Sequence, residues 1–472
     1  MGICQGCFDK QRQIDLLKQE VESLRRKLRY RTQQQQEGFF GSSTPSAKRP
    51  VKPNAETPAE AKPKGARRGH KGGGRPTFEE GEADSVVDVP VLTTCCPHCG
   101  SEELSDYVAD SRSLLESAPV KAKRVVQKLH GKRCARCGHR VVAKAKGVLP
   151  KNLLGNQVLT NAAVMHYEHG IPMARVAEQL GLNEGTLVQA LQRLARLLAR
   201  VPEQLVLEYR KAPAKHADET PWRTSGQNGY AWLFATEALS LFYYRETRSA
   251  VVPRAVFGDQ PLDGVLVVDR YAAYNKVPCR IQYCLAHLLR EVQDLEKEKP
   301  DSPEVRTFVS TLASLLATAM ALRNQPISDD EYYRRAAELE RLIRGTAEAP
   351  AKDFGIRRIQ DIFRDNEERL YHWVRDRRVP AENNRAERDL RPTVIARKVS
   401  FGSQSPQGAQ TRSILTSVLH TMRKRGIDTV TSLCEALGTL AENIDQDPYP
   451  LLFRTPAPGV STQDPPASPQ PE

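Results

Sequence analysis

What the sequence lacks narrows the field first. None of its 472 residues lies in an unbroken apolar run of about 18, the length a membrane-crossing helix needs, so no spanning segment is expected. The N-terminal "MGICQGCFDKQRQ" has no apolar stretch of the secretory kind, and Gly6 stands where a Met-Gly lipidation signal prefers Ser or Thr. A cytoplasmic location and no membrane partner are the expectation. Acidic residues are in deficit, 57 Asp and Glu against 70 Lys and Arg, for a formal charge of +13. That balance points to a polyanionic partner, nucleic acid ahead of a membrane surface. In a reducing compartment the ten cysteines read as metal ligands or core thiols rather than disulfides.

The length suits about two to four domains. Residues 1–32 space Ile14, Leu17, Val21, Leu24 and Leu28 at alternating three- and four-residue steps, a short coiled-coil helix fit for dimerisation. Cys4 and Cys7 have no matching pair nearby and are assigned no metal. Residues 33–85 read as a disordered linker: Gln33 to Arg75, with the basic "KPKGARRGHKGGGRP" at its end, cannot bury a core and attracts phosphates without reading sequence. Residues 86–150 hold "CCPHCG" and "CARCGH", two C-x2-C knuckles whose thiolates converge on one tetrahedral Zn²⁺. The ligands are read as Cys96, Cys99, Cys134 and Cys137, with Cys95, His98 and His139 as substitutes. The basic and apolar alternation between the knuckles suggests a zinc ribbon.

In residues 151–205, Val176, Ala177 and Leu180 mark one short amphipathic helix and Gly181 breaks it. Thr186 to Leu198 forms a second, with Leu187, Leu191 and Leu194 inward. This spacing reads as a helix-turn-helix whose second helix enters a DNA major groove, or else as an ordinary helical hairpin. From 210 to 300 the period changes: "KHADETPWR", "GYAWLFAT", "LSLFYYRETRS" and "GVLVVDRYAAYN" are expected strands. Residues 301–378 return to charged helical sequence without a strand signal; 379–446 complete the core and add C-terminal helices, and 447–472 read as a disordered tail.

Asp218 and Asp269 fall beside the first and last of these strands, where a lone aspartate usually caps a turn. In "ENNRAERDLRP", closed by Pro392, helical spacing puts Asn384, Glu387, Arg388 and Arg391 on one face. Ala386, Leu390 and Val394 fall on another. The plain reading is a solvated helix with a Glu387 to Arg391 pair. Two sheet-borne aspartates with a helical glutamate facing back would instead form the oxygen-only site that Mg²⁺ or Mn²⁺ prefers, and two such ions suit in-line phosphodiester chemistry.

At this point the chain resembles transposases of the IS66 family of bacterial insertion sequences. The resemblance is collinear: the leucine-spaced helix, "FGSSTPS", "GHKGGGRP" and the double C-x2-C come first. "HADETPWR", "GVLVVDRYAAYN", "CLAHLLRE", "ENNRAERDLRP" and "HTMRKRGID" follow in order. It implies a multidomain α+β protein with an RNase H-like α/β catalytic core of the DDE type, interrupted by a helical insertion between the second aspartate and the glutamate. Carried over by motif, Asp218, Asp269 and Glu387 form the catalytic, metal-binding triad, with Asn384, Arg388 and Arg391 orienting Glu387 or contacting DNA phosphates. Glu382 is the rival carboxylate within that motif, better suited to a capping or dipole role. Cys284 and His287 match a C-x2-H block and are placed at the active-site wall or as a core thiol and bonded histidine. Leu285 departs from the Trp that family members more often carry there.

The function so implied is metal-dependent cleavage and strand transfer at insertion-sequence ends. The partners are double-stranded DNA, a second copy or more of the chain, and accessory proteins of the element, at the bacterial nucleoid. A non-catalytic DNA-binding regulator and a structure-specific nuclease are the competing readings. Joined products separate transposase from nuclease.

Overall fold

The computed structural model describes residues 120–453, Cys134 and Gly138 excepted, and before them only Val21, Gly81, His98, Cys99, Ser101 and Glu102. The expected coiled-coil helix and basic linker lie outside the described residues, Val21 and Gly81 apart. The chain divides into a unit of residues 44–120 and a unit holding the rest; the architecture below belongs to the latter.

Strands β1 (Gly131–Arg133) and β2 (Arg140–Val142) pair antiparallel as a small exposed ribbon. Helix α1 (Asn156–Ala163) runs into a π-helical turn, Val164–Glu168, and α2 (Met173–Leu180) and α3 (Glu184–Leu197) follow. Val176, Ala177, Leu180, Leu187, Leu191 and Leu194 are all buried, as their spacing predicts. Gly181 turns the chain between the two helices at φ 67°, a left-handed conformation that glycine adopts without a steric penalty. Asn183 then caps α3, its side chain accepting from the Thr186 amide. The first helix begins at Met173 and the second at Glu184, each a few residues outside its apolar stripe.

Helix α4 (Val201–Lys211) leads into the sheet: β3 (Ala214–Thr224), β4 (Gln227–Ala235), β5 (Ser240–Arg245), α5 (Val251–Phe257), β6 (Leu262–Val268) and β7 (Cys279–Tyr283). The order is β5-β4-β3-β6-β7, antiparallel from β5 to β3 and parallel from β3 to β7. Both faces are covered. Ala217, Trp232, Phe234, Leu266 and Val268 belong to the large core, with Tyr209 of α4 and Phe257 of α5 edge-on to Phe234. The opposite face buries Trp222, Leu233, Phe242 and Tyr244. Each large side chain removed from water contributes roughly 1.5–3 kcal/mol. The unbroken apolar run of β6 fits its inner position, buried on both faces.

After α6 (Leu285–Glu298) the chain is helical: α7 (Pro303–Leu322), α8 (Asp329–Glu348), α9 (Phe354–Asp365) and α10 (His372–Arg375). By length and composition α7 could cross a membrane, with a mean hydropathy of 1.5 over its most apolar stretch, although no unbroken apolar run marked it in the sequence. Its Val305, Phe308, Val309, Leu312, Leu316, Ala319 and Leu322 are a buried stripe, while Thr307, Ser310, Thr311 and Ser314 are exposed, the pattern of a core helix. The chain closes with α11 (Asn384–Ser400), α12 (Pro406–Lys424), α13 (Thr429–Glu442) and α14 (Tyr449–Leu452).

Three expectations are corrected. Pro392 does not end its helix: α11 runs through it to Ser400, because Leu390 and Ala396 on either side are buried against the Trp222 and Tyr244 face, and packing overrides the local breaker. Val394, expected to be buried with them, is only half-buried, and Thr393 takes the inward place. The tail begins later than residue 447, since Leu451 and Leu452 of α14 are buried in the core; residues 454–472 lie outside the described residues.

Candidate active site

Asp218 is not at a strand end. It is the fifth residue of β3, inside the central strand of the sheet. β3 and β6 pair in parallel with His216 level with Val267, so two residues further on Asp218 comes level with Asp269, which directly follows β6. Neighbouring strands lie about 4.8 Å apart and side chains alternate faces, so the two carboxylates leave the sheet side by side on one face. His216 and Trp222 share that face with Asp218, and α11 packs over it through Ala386 and Leu390. Glu387 follows Ala386 in the first turn of α11.

The local bonds fit these placements. Asp218 Oδ1 accepts from the Glu219 amide at 2.8 Å, and Asp269 Oδ1 accepts from the Tyr271 amide at 3.0 Å. Glu387 Oε1 lies 3.4 Å from Arg290 Nη2 and 3.9 Å from His287 Nε2, both on α6. Burial, then the like charges of Glu219, Asp269 and Glu387, hold the Asp218 carboxyl well above the usual carboxylate range. Carboxyl groups thus crowd around Asp218, and among the described residues no lysine or arginine bonds to it. Oxygen donors of one sign, each paired elsewhere only in part, are the donor set a hard divalent cation would complete. Among the described residues no three His, Cys, Asp or Glu side chains close into a single cage, and Glu387 is turned toward Arg290 and His287.

Glu219 was not singled out by sequence reasoning, although it adjoins Asp218 in "HADET". It points to the other sheet face, where Arg248 donates twice to its Oε1 at 2.9 and 2.7 Å and the Tyr274 hydroxyl donates to Oε2. Burial raises its carboxyl, and the Tyr274 and Arg248 bonds oppose that shift. No sequence signal separates it from its neighbour except strand alternation.

Cys284 precedes α6 and is buried; burial pushes its thiol up to about 11, so it stays protonated. His287 lies beside Glu387, with its Nδ1 buried. His287 thus lies near Glu387, and the Cys284 sulfur accepts from the Asn383 amide at 3.1 Å. Arg388 and Arg391 are exposed on α11, as is Asn384, while Glu382 precedes the helix half-buried. Of the four expected zinc ligands, Cys96 and Cys134 lie outside the described residues, as does Cys95. Cys99 and Cys137 are exposed thiols, and His98 and His139 are exposed as well. Cys137 sits in the turn joining β1 and β2.

The fold and site define an α/β protein with a carboxylate-lined sheet face beneath a helix. Residues 151–411 match the Transposase IS66 family, and the chain belongs to that family. It is also similar to three uncharacterized proteins of Sinorhizobium fredii. One, y4jD, is 26% identical over 242 residues, 48% of this chain and 44% of that protein. Another, y4hP, is 23% identical over 435 residues, 80% and 76% of the two chains. A third, y4qI, is 22% identical over 334 residues, 62% and 61% of the two. The chain thus spans less than half the length of the first of these relatives and about three quarters of the second.

Proposed function

We propose that the chain is a DNA transposase that cuts and joins strands at a site formed by Asp218, Asp269 and Glu387. The observation that carries this reading is the parallel pairing of β3 with β6, which brings Asp218 within β3 beside Asp269 just past the end of β6, with Glu387 on the helix that covers the same face. The strand order, three antiparallel strands followed by two parallel ones, supports an RNase H-like core, with α7 to α10 as its helical insertion.

The three carboxylates would hold Mg²⁺ or Mn²⁺, which when bound neutralises charge on the attacking and leaving oxygens of an in-line displacement. A water oxygen bonds to the scissile phosphorus as the bond to the 3′ oxygen breaks, leaving a 3′-hydroxyl and a 5′-phosphate. That 3′-hydroxyl then bonds to a phosphorus of target DNA as the target's own 3′ oxygen leaves. Arg290 and His287 orient Glu387, and exposed Arg388 and Arg391 contact the strand backbone. Helix α3 presents Gln189, Arg193 and Arg196 outward and reads the element ends in the major groove. Cys96, Cys99, Cys134 and Cys137 would hold a structural Zn²⁺, an N-terminal coiled coil would pair two copies, and accessory proteins of the element would join the complex.

The test is a Mg²⁺- or Mn²⁺-dependent cleavage and strand-transfer assay on DNA carrying the element ends, wild type beside Glu387→Ala. Joined products lost in the variant support the reading; equal activity in both removes Glu387 from it. Zinc analysis should find about one ion per chain, absent after Cys96→Ser with Cys137→Ser.

A further inference from the structure

The segment before α11 is tied to β3 and β6 through one buried residue, its side chain reaching β3 and its backbone N–H reaching β6 by way of Cys284. Asn383 is 2% exposed. Its Nδ2 donates to the Ala217 carbonyl at 2.8 Å, and its Oδ1 faces His216 Nδ1 at 2.9 Å. A carbonyl only accepts, so the Asn383 amide orientation is fixed and His216 must carry its proton on Nδ1. The Asn383 backbone N–H donates to Cys284 Sγ at 3.1 Å, and the Cys284 N–H donates in turn to the Val268 carbonyl at 2.8 Å. The Asn383 carbonyl accepts from the Glu387 amide at 3.3 Å.

These bonds form one connected path. Ala217 directly precedes Asp218, Val268 directly precedes Asp269, and Glu387 is one helical turn beyond Asn383. Its three ends, at the Ala217 carbonyl, the Val268 carbonyl and the Glu387 amide, lie on backbone at or beside a carboxylate residue, and none of its links touches a carboxylate oxygen. A second tie, from the Leu285 amide to the Ala381 carbonyl at 2.9 Å, holds the same two segments in register.

We propose that Asn383 is the positioning residue of the carboxylate site, its bonds to Ala217, His216 and Cys284 setting the separation of Glu387 from Asp218 and Asp269. The proposal rests on the function proposed above. A helix that shifts by about 1 Å at a site of this kind costs on the order of 10²-fold in rate, and loss of an orienting bond weakens metal binding about 10- to 100-fold. Packing of Ala386 and Leu390 keeps α11 on the sheet without Asn383, so the loss falls on geometry more than on folding.

The experiment uses the full chain with element-end DNA and compares wild type, Asn383→Ala and Glu387→Gln. Asn383→Ala should lower kcat about 10²-fold with KM for DNA unchanged, and should weaken Mn²⁺ affinity measured by calorimetry about 10-fold or more. Glu387→Gln separates the two readings. If it cleaves like wild type, the triad is wrong and this proposal falls with it. If it is inactive while Asn383→Ala keeps wild-type kcat and Mn²⁺ affinity, the positioning role alone is overturned. Should Asn383→Ala lose its melting transition, Cys284→Ala, which removes only the sulfur acceptor, carries the test: a roughly 10-fold loss in Mn²⁺ affinity and kcat supports the proposal, and unchanged values overturn it.

Discussion

Two buried polar regions of the molecule handle charge in opposite ways. At the carboxylate site, Asp218 is hemmed in by Glu219, Asp269 and Glu387, and burial with like charge raises its carboxyl. Where α12 meets the π-helical turn after α1, the buried charge is a cation: Arg412 is 7% exposed, lies over the rings of Tyr167 and Trp222, and donates to His166 Nε2 at 2.7 Å. His166 accepts that bond because its Nδ1–H is committed to the Ile171 carbonyl at 2.7 Å. Burial, then Arg412, hold this imidazole down at about 4. His420, beside it across a cavity of about 130 Å³ with room for water, is held near 4 by burial as well. One region sets a buried arginine among aromatic rings and histidines that burial keeps neutral. The other gathers carboxylates, of which Glu219 and Glu387 have arginine neighbours and Asp218 has no bonded lysine or arginine among the described residues.

The largest effect that tests this contrast is Asp218→Asn. Strand cleavage should fall by on the order of 10³-fold or more, about 4 kcal/mol of barrier. Thermal stability without divalent ions should rise, because a buried carboxyl shifted upward costs stability wherever it is ionised. Metal-free melting curves check this, and a lower Tm for Asp218→Asn would contradict the account of repulsion. At the other region the same kind of removal should hurt. Arg412→Met should destabilise by about 2–4 kcal/mol, because it strips Tyr167, Trp222 and His166 of their shared partner. Urea unfolding measures it.

The sequence made one of these regions legible and hid the other. "HADET", "VVDRYAAYN" and the glutamate of "NNRAERD" are local words: period put Asp218 and Asp269 beside strands and Glu387 on a helix, and it was the resemblance to the IS66 family that grouped the three. What could not be read was register. That Asp218 lies level with Asp269 depends on β3 pairing with β6, a contact about fifty residues apart in the chain. β7 and α6 were not resolved as elements either: "CRIQYCLAHLLRE" is a short apolar stretch running straight into a helix, and periodicity alone does not divide it. The Arg412 region left no trace, since its partners come from residues 166 and 222 and no spacing rule links them. Pro392 misled for a physical reason, a local breaker outvoted by burial on both sides.

The two regions should also part company in acid. An imidazole held below its ordinary value of 6.5 contributes stability that is complete above that value and is lost as pH falls toward about 4. By about pH 5, His166 and His420 should each have given up at most roughly 2 kcal/mol, counted at 1.36 kcal/mol per pKa unit. Chemical denaturation from pH 7 to 5 should show the loss, and His166→Asn should flatten part of it. A slope unchanged in that variant would move the acid sensitivity elsewhere.

The smallest effect belongs to charge that is neither buried nor of one sign. In the helical insertion, Glu338 and Arg341 pair at 2.7 Å one turn apart on α8, as do Glu331 and Arg334 at 2.8 Å. The arginines are mostly in water, where screening and side-chain entropy leave an exposed pair little net value. Arg341→Ala should leave the melting temperature unchanged at physiological salt, although its 2.7 Å distance equals that of the Arg248–Glu219 pair in the interior. A shift comparable to that of Arg412→Met would mean that distance, and not burial, governs what these ionic contacts contribute, and the contrast between the two interior regions would lose its physical basis.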